Sequence, residues 1–155
     1  MKMVSDRKKY FCGGLIMTIK LQIYKCSICG NIVQILQEGD GNLVCCGKEM
    51  ELMGIQYDSD EVGEKHKPVT EIKDGKKFVN VIAHPMTPEH YIQFIETFTD
   101  DKNELHLKFF KPEDVPEMDI SFFNNKSVNS IEYCNIHHLW GDNVMLENEN
   151  GDYSI

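Results

Sequence analysis

Four cysteines crowded between residues 26 and 46, as Cys26-x-x-Cys29 and the adjacent pair Cys45-Cys46, limit what this chain can fold into more than any other feature. The segment around them is roughly 35 residues long, below the size at which apolar burial alone sustains a fold, so it needs a staple. Four thiolates make a closed tetrahedral site for iron or zinc. Gly30 and Gly47, directly after each pair, let the backbone fold over the ion with its amides aimed at sulfur. Neighbouring side chains diverge, so the Cys45-Cys46 pair is expected to bind one ion only at the cost of local backbone strain. Zinc there would be purely structural, whereas iron would add one-electron transfer.

A disulfide scaffold would require an exported protein. Arg7-Lys8-Lys9 is followed only by Tyr10 to Ile19, broken by Cys12, Gly13, Gly14 and Thr18, which is too weak for an export signal. No stretch approaches the roughly 18 apolar residues of a membrane span. The reading is a cytoplasmic protein whose thiols stay reduced or metal-bound. A net charge of -9 argues against nucleic acid or an anionic membrane as partner. Residues 1–20 hold five basic residues and one acidic, so the remainder is more acidic still. Against that background Lys65, Lys67, Lys73, Lys76 and Lys77 form a local positive feature beside His66.

The chain reads as all-β, a small metal module followed by an immunoglobulin-like β-sandwich. Residues 1–16 are taken as an extension outside the fold, and Cys12 as no ligand. Residues 17–53 form the four-cysteine module, 54–63, polar and without periodicity, a linker, 64–142 the sandwich, and 143–155 an acidic tail. Strands are expected over Val69–Ile72, Lys77–Ala83, Tyr91–Thr99, Leu105–Phe110, Met118–Phe123 and Ser130–Tyr133, separated by turn signals such as Asp74-Gly75 and Asn124-Asn125. In Leu105-His106-Leu107-Lys108-Phe109 a period of two turns the apolar residues inward and leaves His106 solvated, not a ligand.

A second constellation comprises His66, His84, His90 and the stretch Cys134-Asn135-Ile136-His137. His84 and His90 flank a turn made rigid by Pro85 and Pro88, which aims two imidazoles at one point. Singly each histidine is more often a surface or core residue. Four of six at strand edges and loops, with one otherwise unexplained cysteine, point to a mononuclear iron site. A single thiolate among imidazoles favours a redox metal over a structural zinc. Four imidazoles in a plane with an axial sulfur leave a sixth position for a small ligand. The thiolate pushes charge towards that position, which suits reduction of a small oxygen species.

These residues resemble the desulfoferrodoxin family, the two-iron superoxide reductases, over roughly residues 20 to 140. The likeness rests on Tyr24-Lys25-Cys26-x-x-Cys29-Gly30-Asn31, Cys45-Cys46-Gly47, Glu64-Lys65-His66, His84-Pro85-Met86, His90-Tyr91-Ile92, Lys108-Phe109-Phe110-Lys111-Pro112 and Cys134-Asn135-x-His137. It implies a desulforedoxin-like first domain with an Fe(Cys)4 centre held by Cys26, Cys29, Cys45 and Cys46. It implies a second iron with His66, His84, His90 and His137 equatorial and Cys134 axial. The activity it implies is one-electron reduction of superoxide to hydrogen peroxide with electrons from a donor such as rubredoxin, in a homodimer. By the same resemblance Glu64 is a carboxylate that ligates the oxidised iron, and Lys65 attracts superoxide and helps protonation.

Two positions depart from the family pattern: His138 stands where glycine is common, and Lys67 where an apolar residue is frequent. Neither removes a ligand, and spacing favours His137 over His138. Two other classes compete with the enzyme. One is an electron-transfer protein working through the four-cysteine iron, the other a structural zinc-binding interaction module.

Overall fold

The computed structural model describes residues 17–57 and 60–142, with the backbone of residues 11–12, 15–16, 146–147 and 153–154. Most of residues 1–16 and 143–155 lie outside the described residues, and so do the expectations of an extension and an acidic tail. What is described there is two short antiparallel ladders, Phe11–Cys12 with Leu15–Ile16 and Leu146–Glu147 with Tyr153–Ser154.

Backbone contacts divide the chain into two compact units between Met53 and Gly54. The first contains β1 (Ile23–Lys25), β2 (Ile32–Gln34), β3 (Val44–Cys45), β4 (Lys48–Glu49) and β5 (Glu51–Leu52). A three-stranded sheet runs in the order β2-β1-β5, and β3 and β4 form a separate hairpin, all antiparallel. Among the described residues its buried apolar side chains are few: Ile23, Ile35 and Cys26. That is too little apolar surface to hold the unit by itself, which agrees with the need for a staple.

In the second unit, residues 61–63 of the stretch read as a linker open a helix, α1 (Glu61–His66). The Asp60 carboxylate caps it by accepting the N–H groups of Val62 at 3.1 Å and Gly63 at 2.8 Å. Six residues are too few to show an apolar period, so nothing in the sequence marks a helix there beyond the cap. Upstream, Gln56 bridges Trp140 in parallel.

The strands that follow are β6 (Val69–Lys73), β7 (Lys76–Asn80), β8 (Ile92–Thr99), β9 (Leu105–Phe109), β10 (Glu117–Asp119), β11 (Val128–Cys134) and β12 (His138–Gly141). They form a four-stranded sheet, β9-β8-β11-β12, and a three-stranded sheet, β10-β7-β6. Val79 and Met118 from the smaller sheet and Ile92 and Ile95 from the larger join Phe110, Ile120 and Phe123 in one buried cluster. The inner faces of the two sheets therefore supply a common core, the arrangement of an immunoglobulin-like sandwich.

Three strand expectations change. The strand expected to reach Ala83 stops at Asn80, because the chain turns and the His84 N–H donates to the Val81 carbonyl at 3.1 Å. The one expected to reach Phe123 gives way after Asp119 to a 3-10 turn, Ser121–Phe123, which buries Phe123. Strand β9 sits at a sheet edge, where alternation no longer decides burial: Phe109 is 71% exposed, whereas the His106 ring is half-buried against Phe122, centroids 5.0 Å apart. Strand β12, absent from the sequence reading, brings the C-terminal end of the unit alongside β11.

Candidate metal centres

In the first unit Cys26, Cys29, Cys45 and Cys46 bring their sulfurs within 4.8 Å of one another. Sγ of Cys29 lies 3.5 Å from that of Cys45, which lies 3.9 Å from that of Cys46. These separations exceed the ~2.05 Å of a disulfide, and all four are free thiols. The adjacent pair is accommodated by Cys46 at φ 54, a left-handed conformation that a residue with a side chain adopts at a cost, and Gly47 follows at φ 74. This is the strain the sequence leads one to expect. The N–H groups of Cys29 and Ile28 donate to Cys26 Sγ and hold its thiol down to about 6. Cys46, facing first Cys29 and then Cys45, is pushed up to about 12. Four sulfurs this close cannot all ionise without a cation among them, so the donor set fits a bound metal.

In the second unit β11 delivers Cys134 at its last residue, and the turn to β12 delivers His137 three positions later. Strand β8 carries a bulge between Ile92 and Phe94, just after His90 and opposite Cys134, where a local twist re-aims the strand end. Helix α1 contributes His66 as its last residue, buried at 1% exposure. Donor atoms of His66, His90, Cys134 and His137 lie within 4.8 Å of one another. His84 is outside that tight group, yet its ring centroid is 4.5 Å from that of His66 and 4.6 Å from that of His90.

The nitrogens themselves are placed as metal donors. His84 Nδ1 donates to the Pro85 carbonyl at 2.5 Å, while its Nε2, like the Nε2 of His90, is buried with no hydrogen-bond partner. Two orphaned imidazole nitrogens beside a thiol and two more imidazoles fit a metal and fit little else. Burial, then His84, His137 and His90, lowers His66 to about 3; burial, opposed by the Pro85 carbonyl, lowers His84 to about 4; burial also lowers His90. All three are neutral at neutral pH, the form a metal needs. Burial raises the Cys134 thiol, but the N–H groups of Ile136 and His137, each 3.4 Å from Sγ, favour its thiolate.

The sequence reading missed the residues that hold these ligands. Glu132, fully buried on β11, places Oε1 2.8 Å from His66 Nδ1. Burial drives its carboxyl well above the usual range, while burial and the neighbouring imidazoles drive His66 down. Trp140 stacks on the His66 ring at 5.0 Å and 13° and donates its indole N–H to the His137 carbonyl at 3.1 Å. Gln56 Nε2 donates to the same carbonyl at 2.6 Å. Asn135 brackets His90: Oδ1 accepts the Tyr91 N–H at 2.9 Å and Nδ2 donates to the Glu89 carbonyl at 2.9 Å. One signal for Glu132 was available, since a residue two before Cys134 on a strand shares its face.

Glu64 and Lys65 lie exposed on α1, immediately before buried His66. His138 is exposed, outside the ligand cluster, with φ 68, which explains why glycine would be the easier residue there. His106 is likewise outside the cluster. The side chain of Cys12 lies outside the described residues.

Family models described as "Desulfoferrodoxin, N-terminal domain" and "Desulfoferrodoxin" match residues 18–53 and 58–143. The chain belongs to the desulfoferrodoxin family. The family expectation from the sequence motifs therefore holds. A desulfoferrodoxin from Desulfarculus baarsii is 46% identical over 126 residues, covering 80% of this chain and 97% of that protein. A protein named superoxide reductase from Pyrococcus abyssi is 35% identical over 103 residues, covering 55% of this chain and 90% of the relative. The crystal structure of the superoxide reductase from Treponema pallidum superposes with a TM-score of 0.57 at 24% identity, over 79% of this chain and 96% of the other, and shows a shared fold. Within the family, the two donor clusters correspond to a two-iron arrangement.

Proposed function

We propose that this chain is a superoxide reductase, with residues 64–142 as its catalytic domain and residues 17–53 as a desulforedoxin-like accessory domain. The observation that carries the reading is the convergence of His66, His90, Cys134 and His137 on one buried point, with His84 against them and two imidazole nitrogens unpartnered. The proposed ligands are those four histidines and Cys134 for the catalytic iron, and Cys26, Cys29, Cys45 and Cys46 for a second iron, with zinc an alternative there. When bound, the catalytic iron supplies the electron for superoxide plus two protons to become hydrogen peroxide, and the donor that restores it is a small protein such as rubredoxin.

The protein's own groups prepare that chemistry. Glu132 and Trp140 fix the His66 ring from its edge and its face, so that Nε2 is turned towards His137 Nδ1 at 3.0 Å. The Ile136 and His137 amides hold the Cys134 sulfur as an acceptor, and Asn135 locks its loop to the His90 segment. Lys65 presents an exposed cation that draws a small anion to an otherwise acidic molecule and serves as the proton source. Glu64 beside it is the carboxylate that closes the site after turnover. A cytoplasmic homodimer completes the reading.

The test is to expose pre-reduced, iron-loaded protein to a pulse of superoxide. Stoichiometric oxidation of the iron with peroxide formed and no dioxygen released is expected. Reduced protein that stays unoxidised would refute the assignment, and dioxygen release would mark a dismutase instead.

A further inference from the structure

His84 and His90 belong to one short loop, whose closure depends on a residue that is not a ligand. Thr87 and His90 form its tip: the Thr87 N–H donates to the His90 carbonyl at 3.0 Å and the His90 N–H to the Thr87 carbonyl at 3.2 Å. In an antiparallel ladder such bonded pairs recur at every second residue, so the next would join Pro85 to Ile92. That pair does not form. Pro85 has no N–H to give, and its carbonyl is turned to the His84 ring, accepting Nδ1–H at 2.5 Å. Ile92 is fully buried at the bulge of β8, so its N–H needs another acceptor. Met86 Sδ supplies it at 3.4 Å. The sulfur is held in place because Met86 packs against the buried core cluster and its carbonyl accepts the Glu113 N–H at 2.8 Å.

We propose that Met86 is a positioning residue for the histidine site: its thioether takes the Ile92 N–H, so that the Pro85 carbonyl stays committed to the His84 ring. The proposal rests on His84 and His90 being metal ligands, as in the reading above, and names what sets their aim. With Nδ1 tied to Pro85, His84 keeps its Nε2 unpartnered and available as a donor. The same sulfur ties the residue two after His84 to the residue two after His90, and so fixes the spacing of the two rings, whose centroids lie 4.6 Å apart. A thioether on an unbranched apolar chain can pack against the core and still satisfy one amide. Leucine keeps the volume and lacks the acceptor; glutamine keeps the length and supplies one.

Full-length protein carrying Met86→Leu or Met86→Gln separates the two uses of this side chain, because packing favours Leu and hydrogen bonding favours Gln. In zinc-loaded protein, nuclear magnetic resonance reads hydrogen exchange of the Ile92 amide and the nitrogen-15 signal of His84 Nδ1. Met86→Leu is expected to speed Ile92 exchange by about tenfold, with the amides of β11 unchanged, and to broaden or shift the His84 signal. Iron(II) affinity of the histidine site should fall by about tenfold in competition with a chelator, while the four-cysteine site keeps its affinity. Met86→Gln should bring all three readouts back towards those of the parent. Parent-like Ile92 exchange and His84 signal in Met86→Leu would overturn the proposal, as would a Met86→Gln protein no better than Met86→Leu. Loss of protection spread evenly over β8 and β11 would also overturn it, since that marks a packing role. None of these readouts involves superoxide, so the expected pattern in a protein that fails to react with superoxide would refute the superoxide reductase reading alone.

Discussion

At the scale of single residues, the buried pair of Glu132 and His66 is where the site is most sensitive. A carboxylate on the far nitrogen of a ligating imidazole fixes its tautomer and raises its basicity. Replacing Glu132 by Gln keeps the volume and an acceptor but removes the charge. Metal affinity of the histidine site should fall by roughly 10–100-fold, read by competition with a chelator, while the four-cysteine site keeps its affinity. Equal affinities in variant and parent would show that Trp140 alone suffices to place the ring. The ligands were legible in the sequence because metal chemistry restricts residue types and the motifs recur at fixed spacings. Glu132 was not, because between Ile131 and Tyr133 it looks like an ordinary strand residue, and its role depends on a histidine 66 positions away.

At the scale of elements, turn residues revealed where most strands begin and end: β6, β8, β9 and β11 fall close to the expected ranges, whereas β7 stops three residues short of Ala83. What stayed hidden depends on tertiary contact. Helix α1 is too short to carry a period, and β12 and the residues facing it are fixed by packing against each other. Gly141 shows this packing directly: a Cβ there would meet the Tyr57 ring at 2.6 Å and Ile55 Cγ2 at 2.9 Å. The Gly141 N–H donates to the Gln56 carbonyl, and the Gln56 N–H to the Leu139 carbonyl, each at 3.0 Å. Gly141→Ala must push this strap off β12, with an expected cost of about 1–3 kcal/mol in denaturant unfolding. Since Gln56 also holds the His137 carbonyl, the histidine site should lose metal faster in this variant, measured as the rate of transfer to a chelator.

At the scale of the whole molecule, the two units rest on different forces, and removing metal should destabilise them unequally. Among the described residues the first buries the apolar side chains of Ile23, Ile35 and Cys26 alone, whereas the second has a two-sheet core. Chelation should therefore abolish protection of amides in residues 17–53 from hydrogen exchange and leave those of β8 and β11 protected. Acid then acts on the metal-free second unit. His66 and His84 have folded values of about 3 and about 4 against an ordinary 6.5, and His90 is lowered as well. Between those values and 6.5 the unfolded chain binds protons that the folded chain does not, so stability is full above 6.5 and falls as the pH drops towards 4. Glu132 works the other way: with its folded value raised above 4.5, its contribution is present at low pH and lost as pH rises. Three lowered imidazoles against one raised carboxyl leave acid destabilisation as the net result. A denaturant midpoint for the metal-free protein that declines from pH 7 to pH 5 is the expected outcome, and His84→Gln, which removes one of the three groups, should flatten that decline. A midpoint that rose on acidification would mean that Glu132, and not the imidazole cluster, governs the proton balance of the site.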